Sequence, residues 1–160
     1  MKVKYILIFT VFLLVDQVGF AQNYKPAVKD VISPKTRYFS IQDVRLLDSP
    51  FLHAMNQNEQ WMKELDLDRL LSNFRKNANL KPKAEPYGSW ESMGIAGHTL
   101  GHLLTAMSQH YAATGDETFK AKIDYVVNEL DSCQMNFVNG FIGGMPEGDK
   151  VFKEVKKGII

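Results

Sequence analysis

The sequence contains a single cysteine among 160 residues and almost no net charge. One cysteine excludes an internal disulfide and a cysteine-rich zinc site, so no metal site is expected within the chain and packing must hold the fold together. Nineteen Lys and Arg residues stand against 18 Asp and Glu residues, which argues against a nucleic-acid binder and against an acidic disordered chain. With 45% hydrophobic residues, the composition is that of an ordinary globular protein.

Long apolar runs are also missing, since none reaches the roughly 20 residues that a membrane-spanning helix needs. The longest, Tyr5 to Val15, follows two lysines and precedes the small residues Gly19 and Ala21. This order is typical of a secretory signal peptide. We therefore predict a signal peptide over residues 1–21, cleavage after Ala21 and export to the periplasm or beyond, with no stable membrane span. An uncleaved anchor and a buried helix are the alternatives.

After the signal peptide, residues 22–36 contain two prolines and no sustained hydrophobic period, so they are predicted to be an extended lead-in. Alternating side chains over Arg37 to Leu47 favour one or two short β-strands. Beyond them, apolar residues at helical spacing predict antiparallel pairs of helices, the first with an apolar stripe that includes Trp61. These helices are expected over residues 50–64, 67–78, 92–113 (starting near Ser92 or Ile95) and 117–135.

Helix starts and connections are marked by local signals. Ser49 before Pro50, then Asp66 and Asp116, are typical N-caps of the first, second and fourth helices. Prolines and a glycine over Asn79 to Ser89 predict a loop, and four glycines over residues 136–149 predict turns. The lone Cys133 falls on the fourth helix and is expected to be a core residue.

The segment that points most clearly to function runs from Tyr87 to His102. If it is helical from about Glu91, a 100° advance per residue places one polar set within about 60° of the helix circumference. That set comprises Glu91, His98, His102, Thr105 and Gln109. The opposite side, predicted to face the core, carries Leu100, Leu103, Leu104, Met107 and Tyr111. Glycines 94, 97 and 101 each cost about 1 kcal/mol inside a helix, which indicates that another backbone or a ligand comes close.

Three interpretations of His98 and His102 are open. They could be structural histidines that bridge neighbouring helices, or a pair that shares a metal ion. The zincin pattern, however, needs Glu directly after the first His, where this chain has Thr99. The third interpretation is polyol recognition, in which the imidazoles and Glu91 bond to hydroxyls and Trp90 offers an apolar face to a sugar ring.

Several segments occur in an order and spacing that match one known family. The most specific is the combination of Trp90-Glu91 with Gly97-His98-Thr99-Leu100-Gly101-His102. The others are Val44–Phe51, Leu65–Leu71 with Phe74-Arg75, Pro86–Ser92, Tyr111–Asp116 and Gly140–Gly144. Together they resemble the N-terminal part of the catalytic domain of glycoside hydrolase families 127 and 146, the beta-L-arabinofuranosidase-like proteins.

The resemblance implies a mostly α fold, the N-terminal part of an (α/α)6 barrel of antiparallel helix pairs, here preceded by the short β-strand segment. It implies release of terminal L-arabinofuranose from plant glycans or glycoproteins, with a zinc-bound Cys thiolate as nucleophile and a Glu as acid/base. Those motifs belong beyond Ile160, so no catalytic residue is expected in this chain, and zinc is expected only in a full-length member. The substrate-binding assignment alone carries over, to Trp90, Glu91, His98 and His102.

A barrel of six helix pairs needs more helices than the four predicted here. Residues 37–160 are therefore expected to be an incomplete part of the catalytic domain of an exported glycosidase, with a carbohydrate as its partner. The alternative is a non-catalytic periplasmic carbohydrate-binding or helical interaction module that uses the same residues.

Overall fold

The computed structural model describes residues 31–32, 35–36, 38–137 and 139–159. The predicted signal peptide over residues 1–21 and most of the lead-in over residues 22–36 lie outside these ranges. Residues 39–160 form one compact unit, to which the following description applies. Within the part of the chain that the structure describes, all regular secondary structure is helical.

Five α-helices follow one another along the described residues of this unit. They are α1 (Pro50–Glu64), α2 (Leu67–Asn77), α3 (His98–Thr114), α4 (Glu117–Gln134) and α5 (Gly148–Lys156). Two short 3-10 helices cover Ile41–Asp43 and Ser89–Ser92. The four predicted helices are thus confirmed, with a later start for the third, whereas α5 was not predicted. None of the helices in the described ranges is long and apolar enough to cross a membrane.

Residues 38–47 differ from the predicted strands. Ile41–Asp43 is a 3-10 helix whose N-cap is Ser40, with the Ser40 Oγ accepting a hydrogen bond from the Gln42 N–H at 3.3 Å. The described residues contain no strand that could pair with this segment, and Phe39 and Leu47 are largely exposed. The strand prediction was wrong here because alternating side chains do not supply the backbone partners that a strand requires.

The helix starts follow the local signals in the sequence. The Ser49 Oγ accepts from the Leu52 N–H at 3.3 Å, directly before Pro50. The Asp66 carboxylate accepts from two N–H groups in the first turn of α2, and the Asp116 carboxylate accepts from the Thr118 N–H at 2.9 Å. Each cap satisfies backbone donors that the helix itself leaves free.

The core lies between α2, α3 and α4, with α1 packed against α3. The packed residues are Met62, Leu67, Leu70, Leu71, Phe74, Ala78, Leu100, Leu103, Met107, Phe119, Val126 and Cys133. Cys133 is 1% exposed, which confirms its predicted place in the core. Burial raises the pKa of this thiol, because the low-polarity surroundings disfavour the thiolate.

A loop before α5 is held against the end of α2 by Asn77. The Asn77 Nδ2 donates to the Gly143 carbonyl at 2.9 Å and to the Met145 carbonyl, and its Oδ1 accepts from the Glu147 N–H at 3.2 Å. Turns were predicted over residues 136–149 and are present up to Glu147, but Gly148 and Asp149 already belong to α5, so the prediction was wrong for these two residues. The loop therefore takes its position from a side chain on a distant helix.

Candidate functional site

The segment before α3 is a 3-10 helix and a turn, not the continuous helix predicted from Glu91. After Ser89–Ser92, the backbone has positive φ at Gly94 (+86°) and Gly97 (+113°), and α3 begins only at His98. Two residues with positive φ interrupt α-helical geometry, which for L-residues is right-handed. Glu91 therefore does not share a helix face with His98 and His102.

The polar face of α3 itself is as predicted. His98, His102, Thr105 and Gln109 are exposed, whereas Leu100, Leu103 and Met107 on the other side are buried. Neither histidine is buried between helices, so the bridging interpretation finds no support in this structure. These two imidazoles instead lie open to solvent.

Three of the four predicted site residues come together in a row of rings. The Trp90 and His98 ring centroids are 5.5 Å apart, and those of His98 and His102 are 6.1 Å apart with perpendicular planes. We call Trp90, His98 and His102 the ring row. Its members can offer an apolar face and several hydrogen-bonding nitrogens to one ligand.

The fourth predicted residue, Glu91, lies beneath the turn and is only 5% exposed. Its Oε2 accepts the Gly97 N–H at 3.1 Å, and its main-chain oxygen accepts from the Asn73 Nδ2 at 2.6 Å. The Oε1 is buried and has no hydrogen-bond partner among the described residues. A buried carboxylate oxygen without a donor is energetically unfavourable, so a donor from a ligand would match it.

Gly97 allows two loops to meet over Phe74. A Cβ atom at Gly97 would lie 2.9 Å from the Phe74 Cζ and 3.4 Å from the Gly144 nitrogen, and one at Gly144 would lie 2.9 Å from the Ala96 oxygen. The predicted close approach of another backbone is thus confirmed at Gly97. At Gly94 and Gly101, no described atom from elsewhere in the fold lies within 4 Å of an added Cβ, so the prediction that another backbone comes close was wrong for these two glycines.

Beside Glu91 lies a cleft of about 230 Å³, which we call the aromatic cleft. The lining residues that matter below are Trp61, Leu65, Tyr87, Trp90, Glu91 and Thr99. Glu91 is the one charged side chain among the described residues that line it. Trp61 belongs to the apolar stripe predicted for α1, and its side chain is 54% exposed.

Tyr87 is a fixed wall of the aromatic cleft. The Arg69 guanidinium lies 4.0 Å from the centre of the Tyr87 ring, a cation–π contact, and the Tyr87 hydroxyl accepts the Asp66 N–H at 3.0 Å. The Arg69 Nε also donates to the Glu85 carbonyl at 3.2 Å. These contacts tie the loop before the 3-10 helix to the start of α2.

A charge cluster holds the same loop against α4. Glu129 accepts from Arg75 at 2.5 Å and from Lys83 at 2.8 Å. Burial acts to raise the pKa of Glu129, but its hydrogen bond with Lys83 and the charges of Lys83 and Arg75 outweigh burial and hold that pKa below its usual value. The carboxylate is therefore ionised and paired, which indicates a structural function for this cluster.

The zinc centre that the resemblance implies does not fit the described residues. No three His, Cys, Asp or Glu side chains in residues 38–137 and 139–159 are grouped so that they could share a metal ion. Cys133 is buried on α4 and its thiol has a raised pKa, which disfavours the thiolate that a metal ligand requires. No step through zinc is assigned to this part of the chain.

The family model described as beta-L-arabinofuranosidase, GH127 catalytic domain, matches residues 43–159. No curated protein matches the chain. The matched region includes all five α-helices, the ring row and the aromatic cleft. Because the match covers most of the sequence, the chain belongs to the GH127 catalytic-domain family, a family of glycoside hydrolases.

Proposed function

We propose that this chain forms part of the catalytic domain of an exported glycoside hydrolase that acts on terminal L-arabinofuranosyl residues of plant-type glycans. The ring row and Glu91 contribute part of the sugar pocket. Membership of the family supports a carbohydrate substrate. The observation that carries the pocket assignment is the ring row itself, in which the ring of the exposed Trp90 lies 5.5 Å from that of His98.

The ring row is suited to binding a small polyol. Trp90 is 60% exposed, so its indole can cover the apolar face of a sugar ring. Neutral imidazoles both donate and accept hydrogen bonds, which matches the dual character of hydroxyl groups. These side chains bind and orient a sugar, and the nucleophile and acid/base of hydrolysis are assigned to none of the described residues.

The proposal extends to the fold and to the location of the protein. Helices α1 to α4 supply antiparallel pairs of an (α/α)6 barrel, with the turn before α3 directed to its sugar pocket. The signal peptide over residues 1–21 directs the chain to the periplasm or the extracellular space.

The binding assignment is tested by titrating the full chain with methyl L-arabinofuranoside and following the sugar by saturation-transfer NMR. We expect saturation transfer to the wild type and its loss in a His98→Ala, His102→Ala double variant. Gln109→Ala is the matched control, because Gln109 is exposed on the same face of α3 but lies further from Trp90 along the helix. An equal effect of the control, or no binding to the wild type, contradicts the assignment.

Export is tested separately by expressing the chain in a bacterium and measuring its mass in the periplasmic and cytoplasmic fractions. We expect a periplasmic chain that begins at Gln22. A cytoplasmic chain that keeps residues 1–21 contradicts this part of the proposal and leaves the sugar assignment unaffected.

A further inference from the structure

We propose that the aromatic cleft is a second sugar subsite, which holds the ring next to the terminal sugar and recognises it through Glu91. The inference rests on the proposed function, because the terminal sugar occupies the ring row. It adds Trp61, on α1, to the residues that determine specificity.

The size and walls of the cleft suit a single ring. Its volume of about 230 Å³ lies below the roughly 300–1,000 Å³ of pockets for drug-sized ligands. Trp61 and Trp90 are 54% and 60% exposed, so both indoles are available to a ligand, while Tyr87 is fixed by Arg69 and Asp66. A sugar ring has apolar C–H faces that pack on such aromatic surfaces.

The polarity of the cleft favours a ligand that donates hydrogen bonds and carries no negative charge. The Gly97 N–H anchors one oxygen of Glu91, and the other oxygen is buried and lacks a partner within the described part of the chain. A carboxylate accepts hydrogen bonds and cannot donate them when ionised. A ring hydroxyl satisfies the free oxygen, whereas the carboxylate of a uronic acid would be repelled by Glu91.

The cleft and the ring row share Trp90. This residue lines the cleft, and its ring centroid lies 5.5 Å from that of His98. Because Trp90 belongs to both places, two linked sugar rings are expected to occupy them together. Linked contacts of this kind strengthen binding, because the second ring is held close once the first is bound.

The test is calorimetric titration of the full chain with two probes, methyl L-arabinofuranoside and a neutral L-arabinofuranosyl disaccharide. We expect the wild type to bind the disaccharide more tightly. Trp61→Ala should weaken disaccharide binding about fivefold by removing an aromatic wall, with monosaccharide binding unchanged. The matched control is Phe51→Ala on the same helix, since Phe51 is 74% exposed and does not line the cleft; it should change neither affinity.

Glu91→Gln tests the proposed hydrogen bond between a ring hydroxyl of the sugar and the free oxygen of Glu91. The amide oxygen can still accept the Gly97 N–H, and the amide nitrogen then replaces the free acceptor with a donor. We expect disaccharide affinity to fall roughly tenfold or more, as for loss of a hydrogen bond to a charged group. Circular dichroism checks that the Glu91→Gln variant is folded. If this variant is unfolded, Trp61→Ala alone decides whether the aromatic cleft binds the second sugar ring.

The outcomes separate the two proposals. If Trp61→Ala leaves the preference for the disaccharide intact, or if a disaccharide ending in a uronic acid binds as tightly as the neutral one, the subsite is overturned and the ring row still stands. If neither probe binds the wild type, both proposals are overturned. Selective loss of disaccharide affinity in Trp61→Ala supports the subsite.

Discussion

The two ends of α3 are built in opposite ways. At its C-terminal end, Gly115 has a φ of +74° and donates its N–H to the Tyr111 carbonyl at 2.7 Å, while Asp116 caps α4 and pairs with Lys63 at 2.8 Å. At its N-terminal end, the Glu91 carboxylate accepts the Gly97 N–H with one oxygen only. The C-terminal end pairs its charged groups within the chain, and the N-terminal end leaves a buried acceptor beside exposed rings.

The connections at the two ends explain this difference. Two residues, Gly115 and Asp116, join α3 to α4, whereas residues 78–97 join α2 to α3. A two-residue connection can do little more than reverse the chain and cap the next helix. A long connection held by a rigid scaffold is where binding residues concentrate. The long connection, where the Glu91 Oε1 lacks a partner among the described residues and lies beside exposed rings, is therefore the candidate site, whereas Gly115 and Asp116 form a structural joint.

The largest expected effect concerns the turn at the N-terminal end. Gly97→Ala should lower the free energy of unfolding by about 2–4 kcal/mol, because φ is +113° and the added methyl would lie 2.9 Å from the Phe74 Cζ. Gly101→Ala, inside α3 with open space around it, should instead raise that free energy by about 0.5–1 kcal/mol. Urea unfolding measures both, and similar values for the two variants contradict the close approach at Gly97.

The next effect concerns the loop that packs against that turn. Asn77→Ala should cost about 1–3 kcal/mol in urea unfolding, since it leaves the Gly143 and Met145 carbonyls and the Glu147 N–H without their partner. Asn128→Ala is the control on α4, where the side chain is exposed, and it should change stability by less than about 0.5 kcal/mol. If both variants have the same midpoint of urea unfolding as the wild type, Asn77 does not hold the loop.

At the C-terminal end we expect a dependence on pH. The hydrogen bond from Lys63, with those from Thr118, lowers the pKa of Asp116 from 3.8 to about 2. A carboxyl whose pKa is depressed by folding adds stability that is present above its unfolded pKa and is lost as pH falls through the folded one. The wild type should therefore lose thermal stability between about pH 4 and about pH 2 by more than Asp116→Asn, which keeps the cap and removes the charge.

Thermal melts of both proteins across this range check the prediction. Lys63→Met is the complementary variant, because it removes the partner and leaves the Asp116 cap in place. Parallel curves for the wild type and Asp116→Asn at acid pH would show that the Lys63 pair adds no pH-dependent stability.

The smallest effect is expected in the ring row. His102→Ala should change the free energy of unfolding by less than about 0.5 kcal/mol, because the imidazole is exposed. A melting temperature far below that of the wild type would contradict a binding function and favour a structural histidine.

The parts of the fold that could be predicted are those that depend on residues close together in the sequence. Ser49, Asp66 and Asp116 cap the helices that follow them, and a cap depends only on the next three residues. The exposed face of α3 also follows from spacing within one helix. The neighbouring positions of His98 and His102 follow for the same reason, because they lie about one turn apart, whereas the contact of Trp90 with His98 was not predicted.

The parts that could not be predicted depend on distant contacts. The start of α3 is delayed by positive φ at Gly97, which is packed against Phe74 on α2. That delay removes Glu91 from the helix face and buries it. The exposure of Trp61 could not be predicted, because a periodic apolar stripe does not reveal whether another helix covers it. Trp61 lines the aromatic cleft only because the loop that carries Tyr87 folds next to it, and the spacing of residues in the sequence does not reveal this contact.

The position of the tryptophans has a practical consequence. The sequence contains two of them, and both Trp61 and Trp90 line the aromatic cleft. Indole fluorescence depends on contact with water, and both side chains are about half exposed. The intrinsic emission of this protein therefore reports on one place, the cleft, with no contribution from a tryptophan elsewhere. If the cleft binds a sugar ring as proposed, we expect a blue shift of that emission, which requires no introduced label.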